Sequence, residues 1–131
     1  MAARWIKPLF IVAALYDGLL ALAFLFFSGT IFTHFDIEPP NHPAYVHFPA
    51  LLLLIFAAMF FRIAGNPASN RDLILYGIAL KVAYSGTAFW YQLAGGIPFI
   101  WVAWAWADIA FLVLFVIAWK SLAQTGTASR G

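Results

Sequence analysis

Apolar residues along this chain do not alternate with polar ones at a helical or strand period. They come in four near-continuous runs: Pro8 to Phe27, Tyr45 to Ile63, Leu73 to Leu93 and Ile97 to Trp119. Roughly 20 mostly apolar residues, rising 1.5 Å each, cross a hydrocarbon core about 30 Å thick. Each run reaches that length, so the pattern predicts an all-α integral membrane four-helix bundle in a single transmembrane domain over residues 1–131. The connections carry helix-ending chemistry. Ser28-Gly29-Thr30 is expected to stop the first helix, with Gly29 as a left-handed cap, and to open an external loop over residues 28–44. Gly65-Asn66-Pro67 closes the second helix. Ser69 or Asn70 is expected to cap the third, with Asp72 in its first turn. Gly95-Gly96 separates the third from the fourth, and Pro98 suits a first turn. Pro49 implies either a later start for the second helix or a kink in a helix begun at Pro43. Residues 123–131, rich in Ser, Thr, Gly and Ala, are expected to fray.

Composition agrees with the pattern. Hydrophobic residues make up 65% of the chain and charged ones 9%, against about 45–50% and about 25% in soluble domains. Mean hydropathy is +0.91. A water-soluble globule and a nucleic-acid binder are excluded. The absence of cysteine removes disulfides, thiolate catalysis and Cys-ligated metal from consideration within these residues.

The few charges order the spans. Arg4 and Lys7 precede the first, Arg62 and Arg71 flank the second connection, and Lys120 and Arg130 follow the fourth. The first connection has no Lys or Arg but holds Asp36 and Glu38. By the positive-inside rule the bundle is up-down with both termini cytoplasmic. The basic N-terminus followed by apolar residues invites a signal-peptide reading. The stretch is long for that role and Asp17 interrupts it, so it is read as a span.

Asp17, Lys81 and Asp108 stand inside spans, each about nine to eleven residues from a cytoplasmic end, or roughly 13–17 Å deep. A charge at that depth costs about 2.5–3.5 kcal/mol on insertion scales. Three at one level are therefore expected to face inward and pair, Lys81 with one or both aspartates, Asp108 preferred because its helix follows through a tight turn. On that basis Lys81→Met is expected to be milder than replacing either aspartate while the lysine remains. Helical spacing adds Gly77, Tyr84, Ser85, Ala88 and Gln92 beside Lys81. Ala13, Ala14, Gly18 and Ala21 lie beside Asp17, and Trp101, Trp104, Ala105, Phe111 and Phe115 beside Asp108. The cluster Asp17, Lys81, Asp108, Tyr84, Ser85 has two readings: a buried ion pair that fixes helix register, or a binding or proton-handling site in a membrane cavity.

The external segment gathers His34, Asp36, Glu38, His42 and His47, side chains able to ligate a divalent metal or to form a contact surface. His42 and His47 are five apart and would diverge by about 140° on one helix, so no bound metal is expected. No span offers a histidine deeper than His47 for haem. No cofactor is therefore predicted, with a quinone or other lipophile as the candidate at the outer edge.

Several short stretches resemble the DoxX-like family of small bacterial four-helix membrane proteins: Leu15-Tyr16-Asp17-Gly18-Leu19-Leu20, Pro39-Pro40-Asn41-His42-Pro43-Ala44-Tyr45, Asn70-Arg71-Asp72-Leu73, Lys81 and Asp108. The likeness is one of layout over residues 5–122. It implies a multi-pass protein of the bacterial cytoplasmic (inner) membrane, acting as a non-catalytic subunit or partner of a redox or quinone-linked complex. A fainter likeness, in layout and in Glu38-Pro39-Pro40, is to EXPERA-type sterol-handling proteins. The alternative function is a membrane enzyme or binder of a lipophilic substrate using the Asp17, Lys81, Asp108 cluster. Expected partners are the lipid bilayer and other membrane subunits or further copies of the chain.

Overall fold

A computed structural model describes the backbone of residues 4–130 and the side chains of residues 4–123; the tail expected to fray lies, in its side chains, outside the described residues. The described chain is all-helical: α1 (Ile6–His34), α2 (Ala44–Gly65), α3 (Arg71–Ala94) and α4 (Phe99–Arg130). All four are long and apolar enough to cross a membrane, α4 over Phe99–Ala123.

The first helix does not end at Ser28-Gly29-Thr30. It bends at Phe27 (φ −132°, ψ 24°) and continues to His34. Burial explains the continuation. Phe32, beyond the expected stop, is buried against Phe24 with ring centroids 6.1 Å apart. The small polar triplet weakens the helix enough to bend it, and the apolar turn after it carries the helix on. The left-handed cap is Asp36 (φ 53°), not Gly29. The Ile37 amide donates to the Phe32 carbonyl at 2.8 Å, the six-to-one bond that closes such helix ends. The connection to α2 thus shrinks to residues 35–43.

Two other caps differ from expectation. Asn70 occupies the N-cap of α3 but makes no side-chain cap bond there. Its amide donates instead to the Arg62 and Asn66 carbonyls at 3.1 and 3.0 Å, closing the end of α2. α2 starts at Ala44 with Pro49 inside it. The Ala44 amide donates to His42 Nδ1 at 3.0 Å, so a histidine side chain satisfies the first amide of α2. Gly96 does turn the chain between α3 and α4, with φ 92°.

α1 packs closely along α2 and α3 along α4, while the two pairs meet over less of their length. Small residues permit the close approach within the first pair. A Cβ on Gly18 would already lie 3.4 Å from that of Ala57. Where the pairs meet, Gly77 is the critical position. A Cβ there would stand 2.7 Å from Phe60 Cε1, and Phe60 is fully buried between Phe10 and Phe115 and cannot retreat. Gly77→Ala is expected to cost about 1–3 kcal/mol by overpacking, read as a lower melting temperature in detergent. Gly86→Ala, where a Cβ meets open space, should leave the melt unchanged.

Two apolar clusters fill the interior. One joins Phe10, Phe60, Ile63, Ile74, Phe115 and Ala118. The other joins Ala21, Phe24, Phe32 and Ala50, with Trp101 and Trp104 against it. Arg71 ties the first end together: its Nε donates to the Trp119 carbonyl at 2.9 Å and its guanidinium lies 3.9 Å from the centre of the indole. Between the two clusters sit the only buried charged side chains among the described residues.

Candidate functional site

Asp17 from α1, Lys81 from α3 and Asp108 from α4 converge at that level. The Lys81 ammonium donates to both oxygens of Asp17, at 3.0 and 3.1 Å, and to Oδ1 of Asp108 at 3.0 Å. Its three protons are thereby matched by three acceptors. Rings of Phe111, Tyr16 and Phe60 surround the same nitrogen at 5.2, 5.6 and 5.8 Å, within the range where an aromatic face attracts a cation. Lysine and Asp17 side chains are 1% and 2% exposed.

Asp108 differs from Asp17. It gives Lys81 one oxygen, its side chain is 9% exposed, and its second oxygen has no hydrogen-bond partner among the described residues. The Lys81–Asp17 pair alone is charge-balanced, so an ionised Asp108 would be the surplus charge of the cluster. The shared lysine argues for a different ranking of substitutions from the one that spacing suggests. One lysine serves two carboxylates, so removing it strands both, whereas removing Asp108 leaves a neutral pair.

The cluster forms the floor of a cavity of about 740 Å³. From Asp17, Lys81 and Asp108 the cavity runs to the end of the bundle where the α1–α2 and α3–α4 connections lie, touching Glu38 and Pro98 there. Its walls are largely apolar and aromatic, with Phe24, Phe56, Trp101 and Trp104 among them. Tyr45 and Leu52 line it and are exposed on the outside of α2, so the cavity reaches the surface beside that helix. On the other side of the cluster the stacked rings of Phe10 and Phe115, 4.8 Å apart, and the tilted ring of Phe60 fill the bundle. The polar floor is thus reached from the Glu38 and Pro98 end and from beside α2, and not through this aromatic plug.

Tyr84 and Ser85 stand beside the cluster as helical spacing predicts, but neither bonds a carboxylate. The Tyr84 hydroxyl donates to the Trp101 carbonyl at 2.9 Å, linking α3 to α4 at the cavity wall. The Ser85 hydroxyl donates back to the Lys81 carbonyl at 2.5 Å. Gln92 is not part of the stripe's chemistry; its side-chain oxygen accepts from the Ile97 amide across the turn.

Of the five external residues, only Glu38 lines the cavity. His34 packs edge-on against Phe35, Asp36 caps α1, His42 caps α2 and His47 is half-buried in the first turns of α2. No three of the described His, Asp and Glu residues gather as a metal-binding group.

Tyr16 was passed over in the sequence as a site residue. Its ring faces Lys81 and its hydroxyl is buried with no hydrogen-bond partner, on the cavity wall. The signal was its place directly before Asp17; what hid it is that a tyrosine within an apolar run reads as packing. Trp101 turns inward, 5.8 Å from Phe24 and 5.1 Å from Trp104.

No known protein family, characterised protein or solved structure matches this chain.

Proposed function

We propose that the protein is a multi-pass membrane protein that binds one lipophilic molecule, the polar head resting on the Asp17–Lys81–Asp108 floor and the apolar body along the aromatic walls. The observation that carries this is an apolar cavity of ligand size ending on a buried polar group with an unused acceptor. Cavities of about 300–1,000 Å³ with a few convergent polar groups are the usual form of small-molecule sites, and this one has about 740 Å³. An isolated register-fixing ion pair needs neither the third charge nor the space above it.

The bundle is read as up-down with both termini cytoplasmic. The ends of α1 and α2 that meet in the lower cluster lie on the side of Lys7, Arg62, Arg71 and Lys120, and the cavity opens on the side of Asp36 and Glu38. On this reading the mouth faces outward, and the likeness in layout supports a bacterial inner membrane as its location. Leu52 and Tyr45 at the side give a lipid-borne molecule entry from the bilayer. A role as subunit of a quinone-linked complex rests on the likeness alone; a quinone is one molecule the cavity would accommodate.

Native mass spectrometry of protein extracted in mild detergent tests the proposal. The wild type is expected to carry one small lipophilic species per chain. Leu53→Trp, which puts an indole into the cavity from α2, is expected to lose it while the fold, read by circular dichroism, persists. Bare wild-type chains, or a species retained in Leu53→Trp, would contradict it.

A further inference from the structure

The cavity's charge selects among lipophiles, an inference that rests on the binding reading above. Four ionisable carboxylate or ammonium side chains touch it: Asp17, Asp108, Glu38 and Lys81. Acids outnumber bases by three to one, and the one base is fully engaged with Asp17 and Asp108. No other lysine, arginine or histidine lines the space. Beside the Lys81–Asp17 pair, on the same cavity floor, stands Asp108, nine-tenths buried, with an acceptor oxygen that has no partner among the described residues. In surroundings this poor in water a charge acts with far greater strength than in solution. The walls add a second attraction for the same sign. The rings of Phe24, Trp101 and Trp104 pack together beside the cluster, and aromatic faces attract cations.

We propose that the bound molecule is a lipophilic cation: an apolar body bearing one protonated amine, whose N–H donates to the free oxygen of Asp108. Such a head completes what the protein leaves open. It neutralises the surplus charge and satisfies the Asp108 oxygen. A carboxylate or phosphate head would meet two acids and a lysine with no proton to spare. Glu38 at the mouth draws cations from water and repels anions.

Three probes of equal chain length separate the heads: dodecylamine, dodecanol and dodecanoate, titrated near neutral pH into protein held in phosphatidylcholine nanodiscs. Tryptophan emission from Trp101 and Trp104 reports occupancy, with Leu53→Trp protein and empty nanodiscs as blanks. Dodecylamine is expected to saturate at one per chain and to bind at least about tenfold tighter than dodecanol, the worth of one charge-assisted hydrogen bond. Asp108→Asn should remove that advantage and leave dodecanol unchanged. Dodecanol equal to the amine, or dodecanoate tightest, overturns the cation and leaves the binding reading standing. Failure of all three to saturate overturns both. An unchanged amine affinity in Asp108→Asn also overturns it. Should that variant not fold, the ranking of the three probes on the wild type decides alone.

Discussion

Lys81→Met is expected to be the most damaging single change to the buried charges, lowering stability by about 3–5 kcal/mol, the range for stripping one partner from a buried ion pair. The reason is geometric. Oxygens from Asp17 and Asp108 both lie 3.0 Å from one nitrogen, so its loss leaves two carboxylates facing each other between apolar clusters. Asp108→Asn keeps the Lys81–Asp17 pair and an amide oxygen for the third proton, and should stay within about 1 kcal/mol of the parent. Asp17→Ala falls between, since Lys81 keeps only its single bond to Asp108. Melting curves of the three variants in one detergent check the order. Asp108→Asn as the worst of them would mean that the third charge is structural. The cluster also joins α1 to the α3–α4 pair, where helix packing is sparse, so Lys81→Met should broaden the transition as well as lower it.

Phe60→Ala is expected to cost about 3–5 kcal/mol, as large-to-small changes of buried aromatics do. Phe60 is fully buried and contacts Phe10 and Phe115 with ring centroids 6.1 and 5.3 Å away. It also fills the space over Gly77 and stands 5.8 Å from the Lys81 ammonium. The vacated volume adjoins the charged floor, so water gains a path to the cluster from the side that is now sealed. Faster deuterium exchange of α3 amides around Gly77 and Lys81 checks that second effect. Unchanged exchange at normal stability would show that the aromatic plug is not what closes this side.

The four helices followed from length and hydropathy because a membrane leaves the backbone few alternatives. The common level of Asp17, Lys81 and Asp108 followed from counting along those helices. What the counting could not supply was stoichiometry. Spacing puts Lys81 level with both aspartates, but only the way the α1–α2 pair meets the α3–α4 pair decides that both reach one nitrogen. The end of α1 was misplaced because Ser28-Gly29-Thr30 is a sound local stop signal, overridden by the burial of Phe32. Asn70 was placed at the right position with the wrong partner, since its amide finds carbonyls across the turn rather than its own helix. The cavity left no trace in the chain. It is a gap between two helix pairs, and its lining reads residue by residue as ordinary apolar sequence. Tyr16 and Glu38 gain meaning only from facing that gap.

A structure at near-atomic resolution of the protein extracted from its own membrane in mild detergent is the decisive measurement. The cavity should hold continuous density running from beside Tyr45 to within about 3 Å, hydrogen-bond distance, of the free Asp108 oxygen. Leu53 and Phe56 packed against Trp104 over a closed floor, with the third carboxylate bonded to the protein itself, would contradict a binding site there and leave the cluster as a device for helix register.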